Sequence, residues 1–427
     1  MPADGVARAD AAPGDAEIVA IGNELLLGET VDTNSAFVSR RLAALGVRVR
    51  RVTVVGDDPA QVMSALSEAR ARVPWIIAMG GLGPTHDDIT RSAVAAAFDR
   101  PLELDPAVLA AVEARFRLFG YAAMPESNRC QAEVPAGARV LPNRDGTAPG
   151  LVIEEPDVTV FVLPGVPHEM RGLLESGVVP VLAAGVPGPP IRSRVIRTIG
   201  VGESVLAQTL GELVETAAPV DVAFLPHLGQ VDVRLTARGA AGAGLDALAD
   251  RIRERAGRWV FGEDGVTLAA AIGAALGARG WTVGVAESCT AGDLAAALTA
   301  APGASGWFEG GVVAYADRLK ADLLDVGPAA LVHGAVSEAT CRALASGARR
   351  RLGVDVACAT TGIAGPGGGT AEKPVGLVWF GVETPEGAIM RHTVFPGDRD
   401  EVRRRATIAT LGLLIRAVRD GIAMEAA

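Results

Sequence analysis

What most constrains this chain is an alternation of short apolar runs with amphipathic stretches, repeated in two blocks on either side of a proline-rich segment. In residues 15–185, AEIVAIG, VRVRRVTVVG, WIIAMGG and VTVFVLPG have strand character. Between them Thr33 to Leu45, Pro59 to Val73 and PHEMRGLLE have helical spacing, the first with Asn34 or Ser35 as its cap. Strands alternating with helices predict an α/β fold, a parallel sheet covered on both faces. In that fold ligands gather at the carboxyl ends of the strands, and those ends carry GNELLLG, GGLGPTHDD and LPGVPHEM. GVPGPPI at 185–191 marks a boundary. Residues 190–262 read as a small α+β unit, with helices GVGESVLAQTLGEL and LDALADRIRERAG and an edge-type strand VDVRLTARG. Through 266–427 the alternation resumes: helix TLAAAIGAALGARG, strand WTVGVAES, helix AGDLAAALTAA, strand GGVVAYA. Further strands lie in PVGLVWFGVET and ARRRLGVDVACATTG.

Composition narrows the function classes. With 427 residues the chain holds two or three domains, and 49% hydrophobic against 21% charged residues excludes wholesale disorder. A net charge of −10 argues against bulk electrostatic binding to nucleic acid or anionic lipid. No apolar run reaches about 18 residues, and the longest candidate, Val178 to Ile191, is broken by four prolines. The first fourteen residues lack the apolar core of a signal peptide and read as a disordered tail. Cys130, Cys289, Cys341 and Cys358 are scattered, with no zinc spacing, which fits a reducing, cytoplasmic setting.

Of the 40 basic residues only Lys320 and Lys373 are lysine. A desolvated lysine can serve as a base, whereas arginine cannot lose its proton in practice. AESCTAG places Ser288, Cys289 and Thr290 on a strand-to-helix turn; GASGWFEGG carries Ser305, and VVAYADRLK carries Tyr315 and Lys320. TTGIAGPGGGTAEKPVG is a glycine loop with Thr360, Thr361, Gly362 and Gly365. One reading makes Ser305 a nucleophile, Lys320 its base and Tyr315 a proton relay, with the glycine loop as oxyanion hole or phosphate cradle. The other makes Ser305 a helix cap, Tyr315 core and Lys320 surface. Cys289, at a helix start, is a rival nucleophile. His227, His333 and His392 lie in surroundings that suggest structural or surface roles. In GGLGPTHDDIT, Gly81, Gly83 and Thr85 suit a phosphate at a helix start, while Asp87 and Asp88, joined by Glu24, suit Mg²⁺ on a diphosphate. Alternatively this is a tight turn with Asp as helix cap, and His86 adds little.

With these residues in order, the chain resembles the CinA family of competence/damage-inducible proteins. The resemblance runs from about Ala16 to the end through GNELLLGETVDTN, VGDDP, GGLGPTHDD, MPESNRCQA, GTAPG, LPGVPHEM, AESCTAG, GGVVAYADRLK, HGAVSE, TTGIAGPGGGTAEKPVG and FPGDRDEVR. It implies a three-layer α/β/α molybdopterin-binding-like domain, associated in the family with metal-dependent ADP-ribose pyrophosphatase activity. It also implies a KH-like domain, whose residues here show no convincing GxxG clamp for RNA, and a carboxy-terminal α/β domain similar to nicotinamide mononucleotide (NMN) deamidase, which needs no cofactor. Implied amidase positions are Ser288, Ser305, Tyr315, Lys320, a threonine of Thr360–Thr361 and an arginine of GDRDEVR. Arg399 or Arg403 then assists the phosphate, with Thr290, Thr361, Gly362 and Gly365 around the substrate, and the resemblance favours the Ser305/Lys320 reading. A homodimer is implied by family analogy. Asn23 and Ala291 depart from the pattern, which has threonine and glycine there.

Overall fold

The structure is a computed structural model that describes residues 12–185, 191–239 and 242–422. The first eleven residues of the expected tail, and residues 186–190 of the expected boundary, lie outside the described residues. Ala12 to Gly14, counted with that tail, are held: Trp75 Nε1 donates to Pro13 O at 2.8 Å and Arg48 N to Gly14 O at 2.7 Å. The chain forms two compact units, Met1–Arg192 with Arg238–Gly242, and Ser193–Ala237 with Ala243–Ala427.

In the first unit the strands are β1 (Asp15–Ile21), β2 (Arg48–Val55), β3 (Trp75–Met79), β4 (Leu102–Leu104), β5 (Glu133–Pro135), β6 (Arg139–Leu141), β7 (Gly150–Glu154) and β8 (Thr159–Leu163). The main sheet runs β2-β1-β3-β8-β7-β6, and β4 pairs with β5 apart from it. Period-two alternation turns Val19, Ile21, Ile76 and Ala78 into one apolar layer and Ile18, Ile77 and Met79 into the other, so both faces are covered. The sheet is not wholly parallel as expected: β7 pairs antiparallel with β8 and with β6. The link from β7 to β8 is a tight turn, Glu155 N to Val158 O at 2.9 Å, far too short for a crossover. The helix Thr33–Ala44 is capped by Asp32, which accepts from Ser35 N at 2.9 Å, rather than by Asn34 or Ser35.

The second unit takes in β9 (Ile191–Ile199) from Ser193, β10 (Asp221–His227), β11 (Gln230–Arg238) as far as Ala237, and β12 (Val260–Glu263), in the order β10-β11-β9-β12. VDVRLTARG is therefore an interior strand, β11, not an edge. Its larger sheet contains β13 (Val283–Glu287), β14 (Phe308–Val313), β15 (Val356–Gly362), β16 (Leu377–Thr384) and β17 (Gly387–Val394), ordered β14-β13-β15-β16-β17. Only β14, β13 and β15 are parallel; β16 and β17 fold back antiparallel. ARRRL ends the helix Glu338–Leu352 instead of starting a strand. The helix Arg399–Asp420 begins with a capping box between Asp398 and Glu401 and buries Val402, Ala406, Leu411 and Leu414 among others. Among the described residues no helix is long and apolar enough to cross a membrane.

Candidate functional site

Three parallel strands deliver β13, β14 and β15 to one carboxyl edge, where the sequence changes from apolar to polar. Glu287 ends β13 with no exposed surface. Its Oε2 accepts from Thr290 Oγ1 (2.6 Å), Gly292 N (2.9 Å) and Leu294 N (3.1 Å), and its Oε1 from Ala295 N (2.8 Å). One carboxylate thus caps the helix Asp293–Thr299 and folds the Ser288–Gly292 loop around itself. Sequence reasoning missed this residue; the Glu directly before SCTAG, at a strand end and a helix start, was the available signal. Thr290 Oγ1 lies 2.7 Å from Thr360 Oγ1, and Ser288 N donates to Thr360 O at 3.0 Å, which stitches β13 to β15. Ala291 takes a left-handed backbone, φ 52, that accounts for the family's glycine there.

Lys320 lies on the helix Asp317–Leu324 with 1% of its surface exposed. Its Nζ donates to Tyr315 O (2.9 Å) and to Asp317 Oδ1 (3.0 Å). It is not a surface lysine, nor a bare amine among apolar groups. Tyr315 is exposed, not core, and its hydroxyl accepts from Arg399 Nη2 at 3.0 Å while Arg399 Nη1 donates to Gly365 O at 2.7 Å. Arg399 therefore ties the Tyr315 turn to the glycine loop. Arg403 Nη2 donates to Thr290 O (3.1 Å) and Asp293 Oδ1 (2.9 Å), bracing the Ser288 loop from behind.

Several expectations are corrected. Ser305 and Lys320 are not brought together within the chain. Val283 N donates to Trp307 O at the amino end of β13, and Ala314 N to Glu287 O at its carboxyl end. Ser305 precedes Trp307 while Lys320 follows Ala314, so the length of β14 separates them, about 20 Å at about 3.3 Å per residue. Nor does Ser305 cap a helix, because FEGGVV is strand β14. Burial pushes the Cys289 thiol up to about 12, which removes it as a thiolate nucleophile. Thr361 Oγ1 donates to Ala335 O at 2.7 Å, and a Cβ on Gly362 would meet Val378 and Leu377, so both serve the packing of β15. Lys373 donates to His333 O and Val336 O (2.8 Å), a strap on the 333–336 segment. His392 stacks against Trp379 with centroids 4.4 Å apart.

In the first unit a cleft of about 110 Å³ lies at the carboxyl ends of β1 and β3, lined by Glu24, Asp32, Asn34 and Gly80 among others. Asn34 Nδ2 donates to Gly165 O at 2.7 Å, while its buried Oδ1 has no partner among the described residues. Asn23 and Asp57 exchange backbone-to-side-chain bonds, so the departure at 23 joins GNELLLG to VGDDP. The residues expected to hold Mg²⁺ do not assemble. Asp88 accepts from Gly83 N (2.8 Å), Thr85 N (2.8 Å) and Thr85 Oγ1 (2.5 Å), and so folds its own loop. Gly81 O accepts from Thr90 N at 3.2 Å, closing the same turn. His86 and Asp87 are exposed, with His86 Nδ1 4.0 Å from Asp87 Oδ1 and a hydrogen bond from Thr85 holding the Asp87 carboxyl below its usual range, and Glu24 folds back over Gly22. Among the described residues no group of three or more His, Cys, Asp or Glu is placed to hold a metal ion. Arg91, unremarked in the sequence, is buried under the loop and donates to Leu82 O at 2.9 Å.

Comparison with known proteins matches each part of the chain. The CinA C-terminal domain family matches residues 266–418, a probable molybdopterin binding domain 17–184, and the damage-inducible protein CinA KH domain 193–262. A CinA-like protein of Gemmatimonas aurantiaca is 47% identical over 94% of this chain and 96% of its own. A putative competence-damage inducible protein of Symbiobacterium thermophilum is 46% identical over 94% and 98%. A crystal structure of a CinA protein from Thermoplasma acidophilum, of unknown function, is 35% identical, covers 39% of this chain and 98% of its own, and has a TM-score of 0.37. The fold is accordingly α/β, with a molybdopterin-binding-like first domain, a KH-like domain and a CinA C-terminal domain. The chain belongs to the CinA family.

Proposed function

We propose that the carboxyl edge of β13, β14 and β15 is an amidase site that hydrolyses NMN to nicotinate mononucleotide and ammonia, with Ser288 rather than Ser305 as the nucleophilic hydroxyl. The observation that carries this reading is Lys320: a fully buried lysine, oriented by Tyr315 O and Asp317, on the edge that also presents Ser288. Ser288 Oγ attacks the carboxamide carbon, and Lys320, as the amine, takes the hydroxyl proton. As the ammonium it returns that proton to the leaving nitrogen, which departs as ammonia. Water then attacks the acyl ester, releases nicotinate mononucleotide and restores Ser288. Asp317 and Tyr315 O keep Nζ in one place through both halves of the cycle. Arg399 has donors beyond the two it spends on Gly365 and Tyr315, and these suit the substrate phosphate.

For the first unit, the match to a probable molybdopterin binding domain supports a pterin or nucleotide ligand at the carboxyl ends of β1 and β3, though the cleft there is lined by Glu24 and Asp32 and, among the described residues, by no basic residue. With Asp88 committed to its loop, no hydrolytic step through a metal is derived there.

The test is ammonia release from NMN by the full chain without added metal. The wild type releases ammonia; Ser288→Ala and Lys320→Ala lose at least about 100-fold, while Ser305→Ala stays within threefold. Full activity in Lys320→Ala sinks the amidase reading, and a dead Ser305→Ala beside an active Ser288→Ala sinks the choice of hydroxyl.

A further inference from the structure

The second unit contains a larger cavity that the amidase reading leaves unused. It measures about 560 Å³ and lies between the turn joining β10 to β11, which supplies Leu228, and the helices that carry Ala297, Arg404 and Ile408. Ser288, Tyr315, Lys320 and the glycine loop do not line it. Its lining carries two arginines and two aspartates, and both aspartates face the same arginine. Arg403 is matched by Asp293 at 2.9 Å and Asp400 at 3.7 Å. Arg404, exposed on this lining, has no hydrogen bond or ion pair among the described residues. One unmatched guanidinium beside an apolar wall of Leu228, Ala297 and Ile408 suits an anion attached to a flat or apolar body. The Nε of Arg403 adds a buried donor without a partner.

We propose that this cavity is a second ligand site, for a phosphomonoester of mononucleotide size, with the phosphate on Arg404 and the ring against Leu228 and Ile408. Through Arg403, which donates to Thr290 O, the occupant acts on the Ser288 loop. The site stands without the amidase reading; only the consequence for catalysis rests on it.

The experiment titrates the full chain with adenosine 5′-monophosphate (AMP) by calorimetry and follows amide hydrogen exchange of residues 288–295 with and without AMP. Wild type binds AMP; Arg404→Glu, a change at an exposed position, weakens binding at least tenfold and leaves NMN hydrolysis within twofold. Lys320→Ala binds AMP as the wild type does, adenosine without its phosphate binds at least tenfold more weakly, and saturation shifts exchange in 288–295 at least threefold. Absence of AMP binding, equal binding by Arg404→Glu or by adenosine, or loss in Lys320→Ala each overturns the site. Binding without any change in exchange overturns its link to the loop.

Discussion

Replacing Glu287 by Gln removes one oxygen from a carboxylate that receives four hydrogen bonds in a place with no exposed surface. With the amide oxygen at the Oε2 position, Thr290 Oγ1, Gly292 N and Leu294 N keep an acceptor, though a neutral one. The amide nitrogen then faces Ala295 N, and two donors meet with no acceptor between them. A buried donor left unpaired costs about 1–3 kcal/mol, and three bonds to a charged acceptor become neutral ones, so the loop and first helical turn lose about 2–3 kcal/mol. The change acts locally, so it is read by hydrogen exchange of the Gly292, Leu294 and Ala295 amides, which report opening free energy segment by segment. At about 1.4 kcal/mol per factor of ten, their exchange accelerates about 30- to 150-fold, with amides of β1 and β3 unchanged. Under the amidase reading ammonia release falls through kcat more than through KM, because Ser288 loses its placement. Exchange within threefold of wild type refutes the claim that this carboxylate holds the loop.

Ala291→Gly relieves a left-handed backbone costing about 1–2 kcal/mol and returns about 0.4–1 kcal/mol to unfolded-chain entropy. A small net stabilisation of the second unit in urea unfolding is expected, and a loss speaks against strain there. The raised Cys289 thiol leaves almost no thiolate through pH 9, so iodoacetamide labels half-buried Cys130 and spares Cys289 until the pH approaches about 12. Rapid labelling of Cys289 at pH 8 contradicts its burial. Asp88→Asn speeds exchange at Gly83 and Thr85 about tenfold, the loss of about 1.4 kcal/mol expected for bonds to a charged acceptor, whereas Asp87→Asn leaves it unchanged; equal effects refute Asp88 as the loop's brace.

The sequence alone determined the family, the two α/β blocks around a smaller unit, and the segments that meet at strand ends. These are local properties. Period-two and 3.6-residue patterns, Gly turns and motif order are written in consecutive residues, so AEIVAIG and WIIAMGG could be placed as strands before any contact was known. What tertiary structure decided is pairing. Strand direction depends on link length and on which edge is open, so the antiparallel β7, β16 and β17, and the interior place of VDVRLTARG, were not legible. The choice of hydroxyl has the same origin. Ser305 and Lys320 are fifteen positions apart, a spacing that permits contact, yet strand β14 between them holds them at opposite ends of the sheet. Ser288, farther from Lys320 in sequence, reaches its edge because β13 lies beside β14 in register, Glu287 opposite Val313. Asp88 likewise carries a charge that suits a metal in one dimension, and in three dimensions its loop's own N–H groups have claimed it, because an anion among unpaired donors binds the nearest ones first.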